Sequence, residues 1–138
     1  MITLEHVSKE YVEGVPALND VSLNIEAGEF VFIVGDSGSG KSTMIKLLLK
    51  ELEPTSGKLI INKKELAKVN HRNIPYYRRN IGCVFQDFRL LKDRNVYENV
   101  AFAQRVISAS NRSIKLNVPK ILSLVGLAAK YRSKPSEL

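Results

Sequence analysis

Apolar and polar residues alternate early in the chain. In "VSLNI", Val21, Leu23 and Ile25 fall on one side and Ser22 and Asn24 on the other, and "ITLEHV" at the start reads the same way. A period of two predicts half-exposed strands. Gly28 marks a turn, after which residues 30–34, "FVFIV", form an unbroken apolar run. A short run of β-branched and aromatic residues predicts a strand covered on both faces. Beyond a glycine-rich loop, "KSTMIKLLLKEL" sets Ile45, Leu48, Leu49 and Leu52 at helical spacing, with Met44 and Leu47 widening the apolar face. That pattern predicts a largely buried helix. Pro54 and Gly57 then punctuate the chain, and residues 59–61 and 81–85 read as two further strands. From Tyr97 onward the apolar step changes to three and four, in "VYENVAFAQRVI" and "IKLNVPKILSLVGL". Two helices are predicted there, with Pro119 in about the first turn of the second.

At 138 residues, 44% hydrophobic and 25% charged, the chain has the size and balance of one ordinary globular domain. No apolar run approaches the roughly 20 residues that span a bilayer. The opening "MITLEHVSKEY" has no basic start followed by an apolar stretch, so no secretory signal is expected. Cys83 is the single cysteine and cannot form an internal disulfide. Its setting, "IGCVFQ", predicts a small buried hydrophobe in a reducing compartment.

The net charge of +7 is unevenly spread. Residues 1–56 hold four Lys/Arg and nine Asp/Glu, whereas residues 57–138 hold seventeen and five. Such asymmetry admits nucleic acid, an anionic membrane surface or an acidic partner. It equally fits a solvated basic surface, because the charges are scattered. The run "HRNIPYYRRN" mixes aromatics with Arg72, Arg78 and Arg79. Stacking on nucleic acid is one reading; a solvated edge between subdomains is the preferred one. His6 and His71 have no His, Cys or carboxylate at metal-ligand spacing and invite no catalytic role.

The strongest chemical signal is "GDSGSGKST", residues 35–43. Gly35, Gly40, Lys41 and Ser42 satisfy the G-x-x-x-x-G-K-[ST] pattern, with Asp36, Ser37, Gly38 and Ser39 between them and Thr43 following. Glycines let the backbone curl so that amide N–H groups point inward at phosphate oxygens. A helix beginning near Lys41 directs its positive end at the same oxygens. Lys41 supplies a point charge for the terminal phosphates, and the Ser42 hydroxyl is a ligand for Mg²⁺. The loop alone does not choose between ATP and GTP.

Four stretches together resemble the nucleotide-binding domain of ABC-type ATPases: "VSKEYVEGVPALNDVSLNIEAGE", "GDSGSGKST", "LEPTSGKLIIN" and "IGCVFQDFRLL". Within that superfamily, "RRNIGCVFQDFRLLKDRNVYENVAFA" is similar to the bacterial cell-division branch, the FtsE type, which works with the membrane protein FtsX. Lys92 and Asn95 stand where that branch is expected to carry proline and threonine. The resemblance implies an α/β P-loop NTPase fold with an N-terminal antiparallel β subdomain, an incomplete parallel core sheet and the start of a helical subdomain. Residues 1–86 would form the β subdomain and phosphate-loop core, and residues 87–138 the Q-loop and the first part of the helical subdomain. It further implies that Tyr11 stacks on the adenine ring. Gln86 would be the Q-loop glutamine, ligating Mg²⁺ or the attacking water through its carbonyl oxygen and marking a hinge. Residues 87–100 would meet the transmembrane subunit, with Phe88, Leu90 and Leu91 as contacts unless they fill the domain's own core.

In the same family, "SEL", the last three residues here, leads into the signature that contacts ATP across a dimer. No apolar run in the chain is followed by an Asp-Glu pair, so no catalytic residue is assigned. The expectation is therefore the first part of an ABC ATPase that binds ATP with Mg²⁺, hydrolyses it negligibly alone, and leaves a sheet edge open to self-association. The intact protein is expected to pair its nucleotide domains as a homodimer and to act on the cytoplasmic face of the membrane with an FtsX-like transmembrane subunit. The alternatives are a lipoprotein-release or macrolide-export ATPase of the same superfamily, and a soluble ABC-type nucleic-acid or ribosome factor.

Overall fold

In the computed structural model, which describes residues 1–138, the two alternating stretches pair as one long hairpin. β1 (Ile2–Val12) and β2 (Val15–Ile25) run antiparallel from Val12↔Val15 at the turn to Ile2↔Ile25 at the open end. Val21, Leu23 and Ile25 are partly buried and Ser22 and Asn24 exposed, so the predicted alternation holds. β3 (Ser56–Ile61) adds to the other side of β1, and the short β4 (Lys64–Glu65) completes an all-antiparallel sheet of order β2-β1-β3-β4. The β3–β4 connection is the two-residue turn Asn62-Lys63, both at positive φ (48° and 65°), the twist that suits adjoining strands.

One irregularity shapes the core. Leu4 and Val7 lie three apart on β1, which in a regular strand would put them on opposite faces. The register shifts between them, Leu4 pairing with Leu23 and Val7 with Val21, so β1 carries an extra residue there. The bulge turns both inward, to 2% and 0% exposure. They meet Leu18, Leu59 and Leu66, and Met44 and Leu47 of the helix α1 (Lys41–Leu48). The predicted amphipathic helix exists, but its buried line is Thr43, Met44 and Leu47; Ile45 is exposed, and Leu52 lies beyond the helix end.

The carboxyl end of α1 is closed by side chains from α2 (Ile74–Arg78). Arg78 donates from Nε to Leu49 O (2.8 Å) and from its terminal nitrogen to Lys50 O (3.0 Å), and the Tyr77 hydroxyl donates to Leu48 O. These are carbonyls that a helix end leaves without intrahelical partners, and a cation there also opposes the helix dipole. Arg78 is exposed, as expected of a solvated edge, and also serves as a structural cap. Lys50 is almost entirely buried; its Nζ donates to Leu66 O (2.6 Å) and pairs with Glu53 (2.7 Å).

Two predicted strands do not form. Residues 30–34 and 81–85 have no ladder partner. Phe30, Phe32 and Val34 are 83%, 78% and 85% exposed, and Val84 is fully exposed. A run suited to a strand covered on both faces needs a neighbour on each side to take its N–H and C=O groups. All strand pairs in the chain belong to the antiparallel sheet, and neither run joins it. Cys83 is correspondingly exposed, not a buried hydrophobe.

The chain divides into two compact units, Met1–Ile81 and Gly82–Leu138. The second is built on α3 (Val96–Val106) and α4 (Asn111–Leu124). Asn95 caps α3 by accepting from Glu98 N (2.8 Å), and Ser110 caps α4 by accepting from Ser113 N (3.1 Å). Ile114, Val118 and Leu122, each one turn apart, pack with Val96 and Ala101. Pro119 lies inside α4, not at its first turn. The cap at Ser110 starts the helix a full two turns earlier, and Pro119 is itself exposed. Past α4, Leu127 N–H donates to Leu122 O (2.7 Å) and Gly126 N–H to Ser123 O (3.1 Å), a terminating turn that needs the positive φ of Gly126 (75°). No helix is long and apolar enough to cross a membrane.

Candidate functional site

The glycine-rich loop runs from the unpaired apolar segment into the first turn of α1. Ser39 N–H donates to Asp36 O (3.2 Å), and the first α-helical bond is Met44 N–H to Gly40 O (2.9 Å). The N–H groups of Lys41, Ser42 and Thr43 therefore precede the helical ladder and are free to face a ligand. Gly40 is the residue before the helix, at φ 89°. A Cβ there would lie 2.3 Å from Ala17 O and 2.7 Å from Leu18 Cδ2. The last glycine of the motif is thus required by the close approach of the loop to β2. At Gly35 an added Cβ would come within 2.6 Å of Ser39 Oγ, inside the curl of the loop.

Lys41 sends its ammonium back into that curl. Nζ donates to Gly35 O (2.6 Å), Asp36 O (2.6 Å) and Ser39 Oγ (3.2 Å), so all three of its hydrogens are used. The positive charge sits where the chain turns around it, balanced by dipoles and by no carboxylate within bonding distance. An anion entering the loop meets an ammonium that can exchange a weak neutral acceptor for a charged one.

Tyr11, at the end of β1, is brought to the same helix turn. Its hydroxyl and Thr43 Oγ1 are 3.2 Å apart, either being able to donate. The ring is 57% exposed, and the Lys9 ammonium stands 5.9 Å from its centroid. Lys9 was missed in the sequence; its place two residues before Tyr11 on one strand is the signal that would have found it. Ser42 is exposed in the first turn. Its hydroxyl is the hard oxygen donor that Mg²⁺ takes, an ion that keeps several waters and draws its other ligands from bound phosphates. The residues present fit that mode, and no group of three or more His, Cys, Asp or Glu offers an all-protein metal site.

Gln86 belongs to the second unit, exposed in a turn closed by Phe88 N–H to Phe85 O (3.3 Å). Phe88 and Arg89 follow at positive φ (56° and 45°), a strained pair for residues with side chains. Phe88, Leu90 and Leu91 are 78%, 47% and 40% exposed, so they do not fill a core. His6 has a partner the sequence did not show: its Nδ1 lies 2.8 Å from Asp20 Oδ1 across the hairpin, an exposed pair with no third ligand.

The family model described as ABC transporter matches residues 18–138. The chain is 50% identical over 139 residues to the cell division ATP-binding protein FtsE of Mycobacterium tuberculosis, covering all of this chain and 60% of that protein. It is 49% identical over 138 residues to the protein of the same name from Bacillus subtilis, again covering all of the chain and 60% of the relative. Among solved structures, a dimeric post-hydrolysis state of an ATP-binding cassette bound to ADP and Pi superposes with a TM-score of 0.88 at 33% identity. That match covers the whole of this chain and 63% of the other. The chain spans about three-fifths of the length of the curated relatives it matches.

Proposed function

This chain belongs to the ABC transporter family, and on that footing we propose that it is the nucleotide-binding part of an FtsE-like ATPase of cell division. The observation that carries the reading is the loop around Lys41. One ammonium is held by two backbone carbonyls and a serine hydroxyl of the loop, and unpaired N–H groups open the following helix. In the proposed complex the triphosphate of ATP replaces the carbonyls as the partner of Lys41 and takes the N–H groups of residues 41–43. Ser42 faces the Mg²⁺ that neutralises the phosphates, and Tyr11 lends one ring face to the purine. Gln86, at the start of the second unit, is the further candidate for the ion or the water. When bound, Mg²⁺ supplies charge stabilisation to the phosphates; this chain's residues bind and orient them.

Hydrolysis is proposed to need more than these residues supply. No Asp-Glu pair follows an apolar run among them, so the 138 residues are proposed to bind ATP and to hydrolyse it negligibly. Hydrolysis belongs to an intact cassette acting as a homodimer. Residues 30–34 and 81–85 are proposed as the places where its core sheet is completed. The exposed Phe88, Leu90 and Leu91 are the proposed contacts with an FtsX-like transmembrane subunit, which would hold the ATPase peripherally at the cytoplasmic face. A lipoprotein-release or macrolide-export ATPase shares the cassette, but the named relatives favour the cell-division reading.

The test is titration of ATP with Mg²⁺ onto the folded protein. Saturable binding is expected, and Lys41→Ala should weaken it at least tenfold, the loss of about 1.4 kcal/mol or more from one charged contact. Equal affinity in the two proteins would sink the assignment.

A further inference from the structure

Stacking on a purine needs only the face of Tyr11, and phenylalanine would offer the same face. The hydroxyl of Tyr11 therefore asks for a separate explanation. It reaches Thr43 Oγ1 at 3.2 Å, and Thr43 is 7% exposed, a nearly buried polar side chain in the first turn of α1. The bond joins the end of β1 to the helix turn that follows Lys41, across 32 positions of sequence.

Hydroxyl chemistry gives this bond a direction once an anion is present. A phenol is the better donor of the two and an alcohol oxygen the better acceptor. With Tyr11 donating to Thr43, the Thr43 hydrogen is released to donate elsewhere. The free N–H groups of residues 41–43 mark where an anion would sit, at the same helix turn that carries Thr43. A phosphate oxygen accepting from Thr43 completes a relay from phenol to alcohol to anion. Each donor in such a relay polarises the next, and the charged end strengthens the whole.

Building on the nucleotide reading above, we propose that the Tyr11 hydroxyl is a positioning group that couples the base site to the phosphate loop through Thr43. A bound phosphate fixes the donor direction and holds the ring in place for the base. A ring held by a base fixes the Thr43 hydroxyl for phosphate. Such a coupling acts equally in both directions. Lys9 completes the arrangement: its ammonium stands over the Tyr11 ring, so the opposite face is the one presented to a base.

The decisive ligand is one with phosphates and no base. Inorganic triphosphate and ATP, each with Mg²⁺, are titrated calorimetrically onto the wild-type chain, Tyr11→Phe, Thr43→Val, the double variant and Thr43→Ser. Tyr11→Phe is expected to weaken both ligands about three- to tenfold, the worth of one such hydrogen bond, although triphosphate has nothing to stack. Thr43→Val should do the same, the double variant should be no weaker than either single one, and Thr43→Ser should stay within about twofold of wild type. Unchanged triphosphate affinity in Tyr11→Phe overturns the proposal, as do losses that multiply in the double variant. Tyr11 is exposed, so Tyr11→Phe leaves the fold intact; if Thr43→Val fails to melt cooperatively, Tyr11→Phe and Thr43→Ser decide alone. Failure of the nucleotide reading looks different: wild type then binds neither ligand, and Lys41→Ala changes nothing.

Discussion

Gly40 and Gly38 share a backbone conformation and differ in their surroundings, which makes them a matched pair. Both have positive φ, 89° and 84°. Alanine at either position pays the left-handed penalty of about 1–2 kcal/mol. At Gly38 nothing lies within 4 Å of an added Cβ, so that penalty is the whole cost. At Gly40 the Cβ would lie 2.3 Å from Ala17 O, a backbone atom of β2 that cannot turn aside as a side chain end can. Relief requires the loop to lift from the strand, and overpacking of that kind adds about 1–3 kcal/mol. Gly40→Ala should therefore be about 1–3 kcal/mol less stable than Gly38→Ala in urea unfolding, with unchanged dependence on denaturant. Lifting the loop also moves the helix N-terminus, so Gly40→Ala should lose ATP affinity disproportionately. Equal midpoints for the two variants would refute the reasoning, because the only structural difference invoked is the clash with β2.

Two further outcomes follow from exposed and buried groups. Burial pushes the Tyr77 hydroxyl from its ordinary 10.0 up to about 12, with the nearby Arg78 charge opposing the shift. A raised folded value means that the stability tied to the neutral phenol is complete below pH 10 and is lost as pH climbs from 10 towards 12. Urea midpoints should fall across that window for wild type and stay flatter for Tyr77→Phe; parallel curves would remove the buried hydroxyl as the cause. The exposed apolar run 30–34 should make the chain self-associate, and Phe32→Glu should weaken that association at least tenfold, since burying one such side chain is worth about 1.5–3 kcal/mol. Sedimentation of a concentration-independent wild-type monomer would contradict this.

The parts of the fold legible in the sequence were those whose partners lie close along the chain. β1 and β2 meet through a two-residue turn and the phosphate loop carries its own spacing, whereas the two-residue β4 beyond the Asn62-Lys63 turn is too short to show a period. The caps at Asn95 and Ser110 are equally local, yet the apolar period marks neither, and Pro119 as a helix starter placed the second helix too late. Period-two and period-three patterns report which face of an element is apolar. They say nothing about what covers that face. Residues 30–34 and 81–85 have the composition of covered strands, and no strand of this chain covers them.

The candidate site divides along the same line. Gly35, Gly40, Lys41 and Ser42 are recognisable because one local turn does the work and each residue type has its own reason to be there. Tyr11 became a site residue only through resemblance, since β1 and α1 are brought together by a core that no local pattern describes. Its hydroxyl bond to Thr43 depends on Leu4, Val7 and Leu18 packing beneath Met44 and Leu47, and so on the bulge at residues 5–6 that turns Leu4 and Val7 to the same side. Straightening that bulge would move one of the two out of the core and so disturb the packing that sets β1 against α1. The position of Tyr11 thus depends on irregularities along β1, of which the bulge at residues 5–6 is one.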